Sequence, residues 1–130
     1  MPSTPKQIES RFVLLRHEYP LGHERTSHWD LMLEQDGKLL TWALSKSLQP
    51  GTTIAAQQLP DHRIEYLDYE GPVSRGRGSV SRVLKGNYRR NTESGPQVVV
   101  LQFDSHGWKI QFRSENGRQV QIEVSEIDDR

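Results

Sequence analysis

The stretch "HWDLMLEQDGKLLTWALS" (residues 28–45) decides the fold. Residues 28–34 alternate: Trp29, Leu31 and Leu33 fall on one side, His28, Asp30 and Met32 on the other. That two-residue period is the period of a strand. Asp36-Gly37 is a hairpin turn pair, and residues 39–45 return as the partner strand. A hairpin with one apolar face needs a second layer to cover it, so the chain reads as a β protein. The opposite face sets a histidine, an acid and a methionine side by side, an odd combination for a solvated surface.

The flanking sequence extends this pattern. "RFVLLRH" (11–17) reads as a short strand ending in His17, and residues 18–27 read as a loop by their Pro, Gly and charges. Residues 54–60 suit a short strand or a helical turn. Residues 61–74 begin with strand-like alternation and end on a Gly-Pro turn. Residues 78–88 have weak strand character, and "PQVVVLQFD" (96–104) is a strong strand. In residues 107–126, Trp108, Ile110 and Phe112 alternate outward, Asn116-Gly117 turns, and Val120, Ile122 and Val124 alternate back. There is no internal repeat and no long amphipathic helix. The expectation is a mainly β fold with little helix, a small antiparallel barrel or sandwich of about seven or eight strands. Residues 1–10 read as a flexible tail with a helical turn at "PKQIES", residues 11–126 as one domain, and residues 127–130 as an acidic tail.

Composition narrows the function. The 130 residues suit one domain, and 33% apolar content with a mean hydropathy of −0.77 implies a small core. Three Trp, four Tyr and three Phe spread along the chain argue against disorder. Seventeen basic and seventeen acidic residues cancel, which excludes a general polyanion binder. The absence of cysteine excludes thiol chemistry, disulfides and Cys-type zinc sites. The polar N-terminus carries no apolar signal region and no run reaches membrane-spanning length, so the expectation is a soluble, cytoplasmic protein without membrane contact. Charge is uneven: residues 71–92 hold Arg75, Arg77, Arg82, Lys85, Arg89 and Arg90 with no acid. That stretch reads either as a solvated loop or as a phosphate-binding face.

His28 and Asp30 place an imidazole and a carboxylate on one strand face. A third ligand from a neighbouring strand, with His17 the nearest candidate, would complete a two-nitrogen, one-oxygen set suited to Mn, Fe or Zn. A plain surface histidine is the competing reading. In "DHRIEY" (61–66), His62 and Tyr66 would share one strand face and could donate to a phosphoryl oxygen; the plainer reading is a packed Tyr and a surface His. His23 and His106 lie in loop contexts.

In order, "RFVLLRH", "SHWDLMLEQDG", "TWALSK", "DHRIEYLDYEG" and "RGSVSRVLKGNY" resemble the 3′-phosphoesterase domain of bacterial DNA ligase D and its stand-alone relatives. The resemblance covers residues 11–90 and rests on several linked motifs. It implies a compact β-barrel and a manganese-dependent phosphoesterase, with Zn²⁺ or another transition metal as the alternative. It implies trimming of a 3′-ribonucleotide and a 3′-phosphate from DNA ends during repair. Its partners would be DNA or RNA-tailed DNA 3′ ends, with ligase or end-joining proteins. His17, His28 and Asp30 match its metal ligands, His62 and Tyr66 the residues flanking the scissile phosphate, and Lys46 a lysine of the pattern.

Three positions depart from that pattern. Met32 stands where the family has an arginine that grips phosphate, Ile54 where many members have a second arginine, and Leu15 where Gln is common. The loop between His17 and His28 is also longer. A thioether cannot replace the bidentate, charge-assisted bonds of a guanidinium. Losing such a contact costs on the order of 10²–10³ in rate. Arg25, His23, Arg63, Arg75 and Arg77 are candidates to restore the charge. The alternative is a catalytically altered module of the same fold that binds nucleic-acid ends or a repair partner. A third reading, a non-haem iron triad completed by His106, leaves "DHRIEY" unexplained.

Overall fold

A computed structural model of the chain describes residues 7–91 and 97–127. Its strands are β1 (Gln7–Glu18), β2 (His28–Gln35), β3 (Lys38–Leu44), β4 (Thr52–Arg63), β5 (Gly71–Pro72), β6 (Ser79–Asn91), β7 (Val98–Phe103), β8 (His106–Asn116) and β9 (Gln119–Glu126). One 3-10 turn, Ile64–Leu67, follows β4. The sheet order is β1-β2-β3-β4-β9-β8-β7-β6-β5, and β6 also pairs along the whole of β1. That pairing closes an eight-stranded antiparallel barrel, with β5 as a two-residue addition beside β6. The expected mainly β barrel with little helix is the observed fold.

The 28–45 hairpin forms as read. Asp36 and Gly37 both take positive φ, 53° and 77°, the turn whose twist matches its flanking strands. Other boundaries differ. Gln7–Ser10 are not a tail: they pair with Tyr88–Asn91 as the start of β1. Residues 1–6 and 128–130 of the expected tails, and Pro96, lie outside the described residues. The Ile127 amide donates to the Gly107 carbonyl at 2.8 Å, extending the β8–β9 pairing. β4 is twelve residues long because β3 and β9 pair with it on its two edges. In the 107–126 hairpin the turn is Gly117-Arg118, because a bulge between Ser114 and Asn116 lets Asn116 pair with Gln119.

The barrel interior holds one apolar cluster, including Phe12, Leu14, Leu31, Leu33, Trp42 and Ile54. A second, smaller cluster lies on the outer face of β1–β3: Val13, Leu15, Met32, Leu39, Leu67, Val73 and Val80. The 3-10 turn and a strap at residues 71–78 supply Leu67 and Val73 to it. Two-sided burial explains why every residue from Phe12 to Leu15 is fully buried. It also corrects the reading of β2 as having one apolar face, since Asp30 (2% exposed) and Met32 (1%) are as buried as Leu31. The same packing ends the alternation expected at residues 61–66. β4 stops at Arg63, and the 3-10 turn delivers Leu67 into the second cluster. Among the described residues, no helix is long and apolar enough to cross a membrane.

Candidate metal centre

The β1–β2 register sets His17 opposite His28 and Leu15 opposite Asp30. All three polar side chains therefore emerge on the outer face, at the edge of the second cluster. His17 Nδ1 lies 3.3 Å from Asp30 Oδ2, and His28 Nε2 lies 2.9 Å from Asp30 Oδ1. One ligand atom from each residue falls within 4.8 Å of the other two. A cation with bonds of about 2.0–2.2 Å holds neighbouring ligand atoms about 3.0–3.5 Å apart, so the carboxylate–imidazole separations fit.

Each ring's other nitrogen is already engaged. His17 Nε2 lies 2.7 Å from the Arg77 carbonyl, and His28 Nδ1 lies 3.1 Å from the Thr26 carbonyl. A carbonyl only accepts, so those nitrogens carry the protons. The remaining lone pairs, on His17 Nδ1 and His28 Nε2, then point at a carboxylate. Lone pairs facing an anion need a cation between them, either a proton on each ring or a metal ion. Buried Asp30 Oδ1 makes no well-aligned hydrogen bond despite its 2.9 Å contact, leaving it free to ligate. Metal-binding histidines commonly donate their second N–H to a carbonyl in this way.

The electrostatics agree. Burial is the largest influence on Asp30 and pushes its pKa up, but the His17 hydrogen bond, the close His28 contact and the charges of both rings overcome it and the net shift is downward. Burial likewise pushes His28 down, and the close contact with Asp30 and its charge reverse this, leaving it raised. Both shifts favour the charged pair.

Two segments frame the centre. The 19–27 loop folds back on it: the Tyr19 amide donates to Ser27 Oγ at 2.9 Å, and Tyr19 stacks on His17 with ring centroids 4.4 Å apart. His23 meets the other side of Tyr19 at 4.7 Å. The strap holds His17 from below through Arg77. It can approach only because Gly78, at φ +79°, has no side chain: a Cβ there would lie 1.9 Å from the Glu18 carbonyl oxygen. Sequence reasoning missed Tyr19, the Arg77 carbonyl and Gly78. The sequence signal for them is the glycine content of the strap itself, Gly71, Gly76 and Gly78.

The other candidates lie elsewhere. The rings of His62 and Tyr66 are 5.8 Å apart, not on a common strand face but across the junction of β4 and the 3-10 turn. His62 pairs with Leu39, whose other partner is Glu34, while Asp30 pairs with Ala43. The pair therefore sits further along the second cluster and does not contact the triad. Lys46 lines a depression with Trp29, Gln49 and Thr52 at the barrel end, on the core-facing side of β2. Arg25 and Arg75 are exposed, and the Arg77 guanidinium turns back onto Ser74. Arg63 is paired with Glu65. Within the basic stretch, Arg82 pairs with Glu70 and Lys85 with Asp68, so that stretch is partly neutralised. His106 lies beside Glu126 and Phe103, outside the histidine–aspartate cluster, so His17 and not His106 is the third ligand candidate.

Comparison with known proteins matches residues 21–121 to a family described as the DNA Ligase D 3′-phosphoesterase domain. The chain belongs to this family. It is similar to the multifunctional non-homologous end joining protein LigD of Mycolicibacterium smegmatis, with 35% identity over 114 residues, 79% of this chain and 14% of that protein. It is also similar to the LigD proteins of Mycobacterium bovis (31% over 108 residues, 78% and 14%) and Pseudomonas aeruginosa (33% over 85 residues, 64% and 10%). The chain thus spans a small part of the length of these relatives.

The structure locates this family member's departures. Leu15 and Met32, where the pattern has Gln and Arg, pack together in the second cluster, so the floor beside the triad is apolar. Ile54 is different. It faces the barrel interior at 1% exposure, so an arginine at this position would point into the core. The register shift opposite Leu39–Thr41 adds a residue to β4 between Ile54 and His62 and reverses the facing that their spacing suggests.

Proposed function

We propose that this chain is a divalent-metal-dependent phosphoesterase acting on 3′ ends of DNA, or of RNA-tailed DNA, in end-joining repair. The observation that carries the proposal is the pair of imidazole lone pairs turned by backbone carbonyls onto one buried carboxylate. His17, His28 and Asp30 would hold the ion, with Mn²⁺ the first candidate and Zn²⁺ the next. When bound, the ion supplies positive charge to a phosphoryl oxygen and acidifies water. The chain's own residues do the rest. By accepting from the far nitrogens, the Thr26 and Arg77 carbonyls turn the ligand nitrogens toward Asp30. Tyr19 covers His17 and excludes solvent from that side. His62 Nδ1 is tied to the Pro60 carbonyl at 3.0 Å, which presents Nε2 outward. We assign it, with Tyr66, to substrate lying along the second cluster, where the imidazolium form, carrying a second proton on Nε2, would give that proton to a leaving oxygen. Family membership supports the end-joining context, and ligase or other end-joining proteins are the partners to test.

The test is release of the terminal ribonucleotide or phosphate from a primer–template with Mn²⁺, wild type against Asp30→Asn. Turnover in wild type that is lost in the variant supports the proposal. No wild-type turnover with bound Mn²⁺ refutes catalysis on this substrate. It would favour a second reading, a non-catalytic end-binding module, which the apolar floor of Leu15 and Met32 motivates. Such a module would keep salt-dependent DNA binding in Asp30→Asn.

A further inference from the structure

Beside the triad, the outer face of β2–β4 carries a groove of about 340 Å³. His28 and Thr26 border it, Ala43 and Ala55 form its floor, and Ser45, Gln57 and Gln119 supply polar groups. Among the described residues, His28 is the one ionisable side chain that lines it. Asp30, Ala43 and Gln57 are successive partners across three strands, so the groove starts next to the carboxylate. Strand spacing makes that row about 10 Å long. With only methyl groups on the floor, a ligand can lie close to the sheet.

We propose that this groove is the subsite for the 3′-terminal nucleoside, and that the site therefore favours a phosphodiester over a terminal phosphomonoester. The proposal rests on the metal-centre reading above. A tract of phosphates would need lysine or arginine along its path. A neutral groove abutting a phosphate site instead fits the uncharged sugar and base that a terminal phosphate carries. Its volume falls in the range of small-molecule sites; the glutamine amides can donate and accept along sugar and base edges, and the Ser45 hydroxyl, which donates to the Ala55 carbonyl at 3.2 Å, can accept. Charge balance points the same way. A divalent ion on one carboxylate leaves one net positive charge. That matches a diester monoanion, whereas a monoester brings about −1.5 to −2. Among the described residues no guanidinium takes the place of the missing one on this face: Met32 occupies one arginine position, the Arg77 side chain is held by Ser74, and Arg16, whose charge reaches His28, is stacked over Trp29.

The test is methyl and amide NMR of the whole chain, titrated separately with the methyl ester of adenosine 5′-monophosphate, a nucleotide diester monoanion, with inorganic phosphate and with Mn²⁺. The nucleotide should shift the Ala43 and Ala55 methyls, phosphate should not, and Mn²⁺ should broaden the Asp30 amide. Ala55→Leu should weaken nucleotide binding about tenfold or more and leave Mn²⁺ broadening in place. Gln57→Ala should weaken it less and serves if Ala55→Leu fails to fold. Unmoved methyls alongside Mn²⁺ broadening overturn the subsite and leave the metal reading standing. Nucleotide shifts without Mn²⁺ broadening support the nucleoside subsite and refute the metal reading. Equal methyl shifts with phosphate and nucleotide overturn the subsite. In turnover, a 3′-ribonucleotide should be removed at least about tenfold faster than a 3′-phosphate, and equal rates overturn the diester preference.

Discussion

Replacing Met32 with arginine restores the family's side chain at this position, and the structure makes the substitution destabilising. Met32 is 1% exposed, among Val13, Leu15, Leu39, Leu67, Val73 and Val80. Removing a buried methionine loses about 1.5–3 kcal/mol of burial. The guanidinium would enter an apolar cluster whose flanking carboxylates on β2 are already engaged, Asp30 by two histidines and Glu34 by Arg11 and Ser10. It can reach water only by lifting the 3-10 turn, which uncovers Leu67. The expected net loss is about 2–4 kcal/mol, the class of a polar group placed in a core. At about 2.1 cal/mol/K per residue, 130 residues have an unfolding entropy near 0.27 kcal/mol/K. The melting temperature should then fall by about 7–15 °C. Met32→Leu conserves volume and should stay within about 1.5 kcal/mol. Thermal unfolding followed by tryptophan fluorescence in EDTA reads both variants. If Met32→Arg melts within about 3 °C of wild type, the second cluster contributes little and the account of Met32 fails.

Gly78→Ala should push the strap off the Glu18 carbonyl and release His17 from Arg77. Losing such an outer contact weakens metal binding about 10–100-fold, measurable by chelator competition; unchanged affinity would show that the Arg77 carbonyl does not matter. Glu34 accepts hydrogen bonds from Arg11 and Ser10, Arg11 being the largest influence, and its pKa falls to about 2. A depressed carboxyl stabilises the fold above its unfolded value and loses that contribution as pH falls toward 2. Denaturant midpoints should therefore drop between about pH 4.5 and 2, and Glu34→Gln should flatten the drop; an unaltered profile counts against the pairing. For the metal-free protein, raised His28 contributes stability below the ordinary histidine range, and this is lost as pH rises through its folded value. Mn²⁺ competes with protons for the same nitrogens, so the loaded protein should instead gain stability as pH rises. Parallel pH profiles with and without Mn²⁺ would contradict a shared site.

Much of this was legible from the sequence, for identifiable reasons. Alternation in residues 28–34 and the Asp36-Gly37 turn fixed the hairpin, and a period of two put His28 beside Asp30. His17 followed because a strand ending next to that hairpin pairs with it. Spacing failed wherever a bulge intervened. The register shift in β4 turned Ile54 inward, and the one before Asn116 moved the second turn by a residue. The second cluster was hidden because Val13, Leu15 and Met32 look like ordinary strand residues until a distant segment covers them. The Thr26 and Arg77 carbonyls leave no mark on sequence, since any residue supplies one.

β1 is paired with β2 on one edge and β6 on the other, and is buried on both faces through Leu15. Its amides can exchange with solvent only when the barrel itself opens, so they should be among the slowest in the molecule. The 19–27 loop and the 71–78 strap have fewer such ties and should exchange sooner. An ion could therefore arrive and depart through motions of this rim while the strands beneath keep their spacing. Its residence time would then be set at the periphery, and its selectivity by the barrel.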